Sequence, residues 1–66
     1  MLEFTRKNKE KIAFNFDHIV GVCPSLNDTM IYTSMGGVLQ EFLVVESYET
    51  VLETLKRYAM HRHENL

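Results

Sequence analysis

Apolar and polar residues alternate at period two over Leu2-Glu3-Phe4-Thr5, which predicts a half-buried strand. The polar run Arg6 to Glu10 interrupts it. Alternation resumes over Ile12-Ala13-Phe14-Asn15-Phe16, so Ile12, Phe14 and Phe16 share one face of the return strand of a hairpin. A β-branched stretch, Ile19-Val20-Gly21-Val22, follows, with an Asx-type turn at Asn15 or Asp17 bending the chain before it. Cys23 to Asp28 is dense in turn formers (Pro24, Ser25, Asn27, Asp28) and reads as a loop. Met30 to Thr33 and Val38 to Val45 are the last strands, joined across Gly36-Gly37, a pair that accepts the positive φ angles of a tight hairpin turn.

At Ser47 the period changes from 2 to 3.6. Tyr48, Val51, Leu52, Leu55, Tyr58 and Ala59 fall on one apolar stripe, with Ser47 as N-cap, Glu49 in the first turn, and Lys56, Arg57 and Arg62 toward the positive-tolerant end. Glu53 stands four residues before Arg57 as a surface pair. The predicted fold is therefore α+β: a small antiparallel sheet of four to five strands within residues 1–45, a helix over about 47–61 packed on one face, and a frayed tail over 62–66. No linker or repeat divides the chain, so 1–66 is read as a single domain.

Size sharpens this picture. A chain of 66 residues buries only about 60% of the surface its unfolded form exposes, and a single core that small needs a disulfide, a metal or a partner subunit for useful stability. Cys23 is the only cysteine, which closes the first route. One helix over four or five strands leaves the other sheet face partly bare. The expected consequence is a homo-oligomer or a protein partner, meeting the chain through Ile31, Val38 and Leu43 on the bare face and Glu46 and Glu49 at the acidic start of the helix.

Hydrophobic content of 45% with 24% charged residues is ordinary for a folded domain. The net charge of −2 gives no overall pull toward nucleic acid or anionic membrane. The longest uncharged apolar run, Phe42 to Val45, is far too short to span a bilayer, so no membrane insertion is expected. A lone thiol with no apolar leader fits a reducing, cytoplasmic setting.

Chemistry-bearing residues are sparse. Cys23, His61 and His63 are too few and too scattered for a closed zinc site, and two histidines two apart on a helix point to different sides. His18 lacks an oriented partner for work as a general base. Cys23 reads as a small residue ending a strand, since no base lies near it in sequence. Gly36-Gly37 lacks the strand-to-helix context of a phosphate loop. No catalytic residue, metal or cofactor is expected. The basic run Arg6, Lys7, Lys9, Lys11 is the one candidate for anion or nucleic-acid contact, with Phe4, Phe14 and Phe16 as conceivable base-stacking rings, although alternating phenylalanines on a strand are more often core.

With these elements placed, the chain resembles the small flagellar FlbD-like family of bacterial proteins. Met1-Leu2-Glu3-Phe4-Thr5-Arg6-Lys7-Asn8, then Ile12, Phe14, Asn15, Asp17 and Ile19, carry the start of the match. Asp28-Thr29-Met30-Ile31, the glycine turn, and Val44-Val45-Glu46-Ser47 leading into Val51 and Leu55 carry the rest, to about Tyr58. Short phage and prophage proteins show similar patterns. Two departures stand out: Asn8-Lys9 replaces the family's Asn-Gly at the first hairpin, and the segment Cys23 to Asn27 is this chain's own. The resemblance implies a cytoplasmic, non-enzymatic accessory role in motility, and transfers no catalytic residue. The competing expectation is a phage-type accessory protein that binds nucleic acid or a small anion through the basic hairpin.

Overall fold

A computed structural model describes residues 1–64, with side chains described through Arg62. Among these residues the chain forms β1 (Leu2–Thr5), β2 (Lys11–Phe14), a 3-10 turn (Phe16–His18), β3 (Ile19–Ser25), β4 (Asp28–Met35), β5 (Val38–Val44) and α1 (Tyr48–Glu64). The class is α+β, as the periodicities predict. All strand pairs are antiparallel, and they divide into a two-stranded sheet, β1-β2, and a three-stranded sheet in the order β3-β4-β5.

The division falls where alternation stops. β2 ends at Phe14 rather than Phe16 because the Asn15 side chain accepts a hydrogen bond from the Asp17 amide at 3.0 Å and caps the 3-10 turn. That turn takes Phe16 off the strand. Its ring instead stacks on Tyr58 of α1, centroids 5.2 Å apart.

Beyond it, β3 does not stop at Val22. It runs through Cys23-Pro24-Ser25, and only Leu26 and Asn27 are left to turn the chain into β4. The expected loop is thus mostly strand. Pro24 is tolerated because β3 is an edge strand of its sheet, where a missing N–H breaks no ladder on the open side. Leu26 takes φ 56°, a left-handed conformation.

The Gly36-Gly37 hairpin forms as predicted, with φ of 59° and 80°. Both residues positive in φ is the requirement of the turn that matches strand twist, and glycine meets it without steric cost. In the first hairpin Lys9 takes the corresponding left-handed conformation, φ 72°, while Asn8 Oδ1 accepts from the Glu10 amide at 3.0 Å.

Hairpin β1-β2 and helix α1 both close on the same face of the three-stranded sheet. The shared core is Leu2, Phe4, Phe14, Ile31, Val44 and Val51, with Ile12, Ile19, Val22, Phe42, Leu55 and Tyr58 packed around it. Phe14 meets Phe42 edge-on at 5.4 Å and Phe4 at 6.1 Å. Ser47 caps α1: its hydroxyl accepts from the Thr50 amide at 3.2 Å.

The helix continues past residue 61, its expected end, to Glu64. Arg62 Nη1 reaches Asp17 Oδ1 at 2.7 Å, and the guanidinium lies 5.5 Å from the Phe16 ring centre, so a tertiary contact holds the last turns. Residues 65 and 66 of the expected tail lie outside the described residues. So does the side chain of His63.

Candidate interaction surface

Strand register sorts the side chains of β3-β4-β5 onto two faces. Thr29, Ile31 and Thr33 of β4 are buried and turn inward, with Val22 and Phe42 flanking Ile31 in one cross-strand row. The intervening residues turn outward. Cys23, Met30 and Leu43 form one outer row, Gly21, Tyr32 and Glu41 the next, and Ser34 and Leu39 the last. None of these outer residues belongs to the core cluster, since both the hairpin and α1 lie on the opposite side. Leu39 is 64% exposed, while Cys23, Met30, Tyr32 and Leu43 are half-buried.

Only Leu43 of the expected interface residues lies on this bare face. Ile31 is fully buried, because strand alternation gives it to the core and its neighbours Met30 and Tyr32 to the outside. Val38 is exposed, but its register with Met35 puts it on the inward parity, at the far end of the β4-β5 hairpin. Glu49 lies on the exposed side of α1, across the core from the bare face, beside Thr50 and Glu53. Glu46 is engaged within the fold: Oε1 accepts from the Thr5 amide and Oε2 from the Thr5 hydroxyl, both at 2.9 Å. Its backbone carbonyl accepts from the buried Thr29 hydroxyl at 2.8 Å.

The basic residues are also partly spent internally. Lys7 pairs with Asp28 at 3.1 Å, and Lys11 donates to Thr5 Oγ1 at 3.0 Å. Arg6 and Lys9 are exposed at the hairpin tip. Phe4 and Phe14 are buried in the core, which withdraws them as base-stacking rings. The tip nevertheless touches the bare face, since Arg6, Lys7, Asn8 and Leu43 line one hollow of about 290 Å³.

Cys23 Sγ and Tyr32 Oη are 3.5 Å apart on the bare face. That hydrogen bond, then the charge of Cys23, burial, and the Glu41 carboxylate hold the Tyr32 phenol above its ordinary range. His18 anchors the 3-10 turn through its amide, 3.0 Å from the Asn15 carbonyl. Among the described residues no group of three or more His, Cys, Asp or Glu is arranged to hold a metal ion, and no helix is long and apolar enough to cross a membrane.

The open edge of β3 is blunted against strand addition. A bulge between Ile19 and Gly21 sets Val20 out of register, and Pro24 offers no amide. A shallow apolar groove of about 340 Å³ runs beside this edge, between Phe16, Ile19 and Val22 and the helix residues Leu55 and Ala59.

Compared with family models, curated proteins and solved structures, the chain finds no match. The FlbD-like resemblance rests on the residues quoted for it.

Proposed function

We propose that this chain is a non-catalytic protein-interaction and oligomerisation module whose working surface is the bare face of the β3-β4-β5 sheet. One observation carries the reading. A half-apolar sheet face bearing Cys23, Met30, Tyr32, Leu39 and Leu43 lies opposite the core and α1, met by the hairpin tip of Arg6, Lys7 and Asn8 at its Leu43 margin, in a domain whose buried apolar core is a handful of residues. Covering such a face is how small domains gain the apolar burial that their own length denies them. A flagellar accessory role in the cytoplasm is the setting that the FlbD-like resemblance adds to this proposal.

Light scattering coupled to size exclusion tests the reading. The expected mass is a multiple of the 7.7 kDa chain, reverting toward the monomer when Leu43 and Met30 are replaced by serine. A folded wild-type monomer at high micromolar concentration counts against self-association.

A further inference from the structure

We infer that the bare face is a two-fold interface between two copies of this chain, with Arg6 of each copy meeting the partner's Glu41. The inference rests on the oligomerisation reading and adds the identity of the partner and the register of the contact.

The charges at the two ends of the face are complementary. At one end Arg6 borders Leu43 and brings an unpaired positive charge to the face, while the charge of Lys7 beside it is already met by Asp28. On the other side of the Leu43 row stands Glu41, exposed and paired across the strands with Tyr32. Among the described residues neither Arg6 nor Glu41 forms an ion pair. Within one copy they flank Leu43 from opposite sides.

One symmetry operation brings them together. Sheets that pack face to face lie about 10 Å apart with their strands nearly aligned. A two-fold axis lying between the sheets and along the Cys23-Met30-Leu43 row sets that row over its own copy and reverses the strands. Glu41, two residues and roughly 7 Å along β5 from Leu43, then passes to the side where the partner's Arg6 stands. The same operation makes the reciprocal contact, so two ion pairs bracket an apolar centre. This is the self-complementary pattern an isologous dimer requires. An interface of standard size, about 800 Å² per copy, would take roughly a sixth of the 4906 Å² surface.

Charge reversal with mixing tests it, read by light scattering and sedimentation at low and moderate salt on R6E, E41R, their equimolar mixture and the double variant. Both substitutions lie on exposed side chains, and circular dichroism verifies the fold. Each single variant places like charges in both contacts, so the dimer dissociation constant should rise about tenfold or more. The mixture should restore the dimer, because each R6E copy then meets an E41R copy with opposite charges in both contacts, and the double variant should restore it as well. A wild-type dimer indifferent to both reversals, or one rescued in the double variant and not in the mixture, would overturn the inference while leaving the oligomerisation reading intact. A wild-type monomer would remove both.

Discussion

Glu46 grips Thr5 with both carboxylate oxygens, at 2.9 Å to its amide and 2.9 Å to its hydroxyl, across 41 residues of sequence. Beside it the Val45 amide donates to the Thr5 carbonyl at 2.8 Å. Together these bonds fasten the end of β1 to the end of β5. Thr29, fully buried under the same corner, donates to the Glu46 carbonyl, so β4 is drawn in too. The corner is the joint between the two sheets.

Replacing Glu46 by alanine leaves the Thr5 amide and hydroxyl without their acceptor in a partly buried position. A lost charge-assisted bond of this kind costs about 1.5–3 kcal/mol. Glu46→Gln keeps one carbonyl acceptor and should fall between alanine and wild type. Urea denaturation would measure both, with the slope of the transition unchanged. An alanine variant as stable as wild type would show that the corner is solvated and carries no strength.

Leu26 should be the easiest residue to improve. It is fully solvent-exposed, at 102% of its reference surface, and sits at φ 56° in the two-residue turn between β3 and β4. A leucine held left-handed suffers the Cβ–carbonyl clash of about 1–2 kcal/mol that glycine avoids, partly offset by the greater entropy glycine brings to the unfolded chain. Leu26→Gly is expected to raise stability by about 0.5–1 kcal/mol. A lower midpoint in denaturant for the glycine variant would mean that the turn is not left-handed at this residue.

Arg62 ties the last turns of α1 to the 3-10 turn. Arg62 bonds Asp17 at 2.7 Å and lies over Phe16, whose ring stacks on Tyr58 one turn back along the helix. The Asp17 hydrogen bond first, and then its charge, raise the Arg62 guanidinium further above its already high range. Arg62→Ala should therefore speed amide exchange from residue 59 onward while leaving the Val51 region protected. Uniform loss of protection along α1 would argue that this contact supports the whole domain rather than its end.

How far the fold could be read in the sequence depended on how local each cause was. The helix stripe from Tyr48 to Ala59, the Ser47 cap and the Gly36-Gly37 turn were legible because each is decided by neighbours within a turn or two. Pro24 and its flanking polar residues hid the second half of β3, since turn propensity says nothing about whether a strand lies at an edge. That one sheet face would be left bare was legible from one helix over so few strands, but the residues on that face were not. Placing Ile31 inside and Met30 and Tyr32 outside requires the β4 register, which only the pairing with β3 and β5 fixes. Glu46 looked like part of an acidic surface because its partner, Thr5, is at the other end of the chain.

Tyr32 offers a reading of the bare face in solution. Its phenol is held above the ordinary value by Cys23 first, through the 3.5 Å contact and then through charge, with Glu41 adding the same sign. A phenol whose folded value is raised binds its proton more tightly in the native state than in the unfolded one. The resulting stability is fully present below the unfolded value, about 10, and is lost as pH rises through the folded value. Cys23→Ala removes the leading cause, so the Tyr32 midpoint, followed by the ring-carbon resonance in NMR, should move down toward 10. The stability difference between wild type and this variant should shrink over the same alkaline range. A midpoint that does not move on removal of the thiol would show that the two side chains do not share the outer row as the register places them.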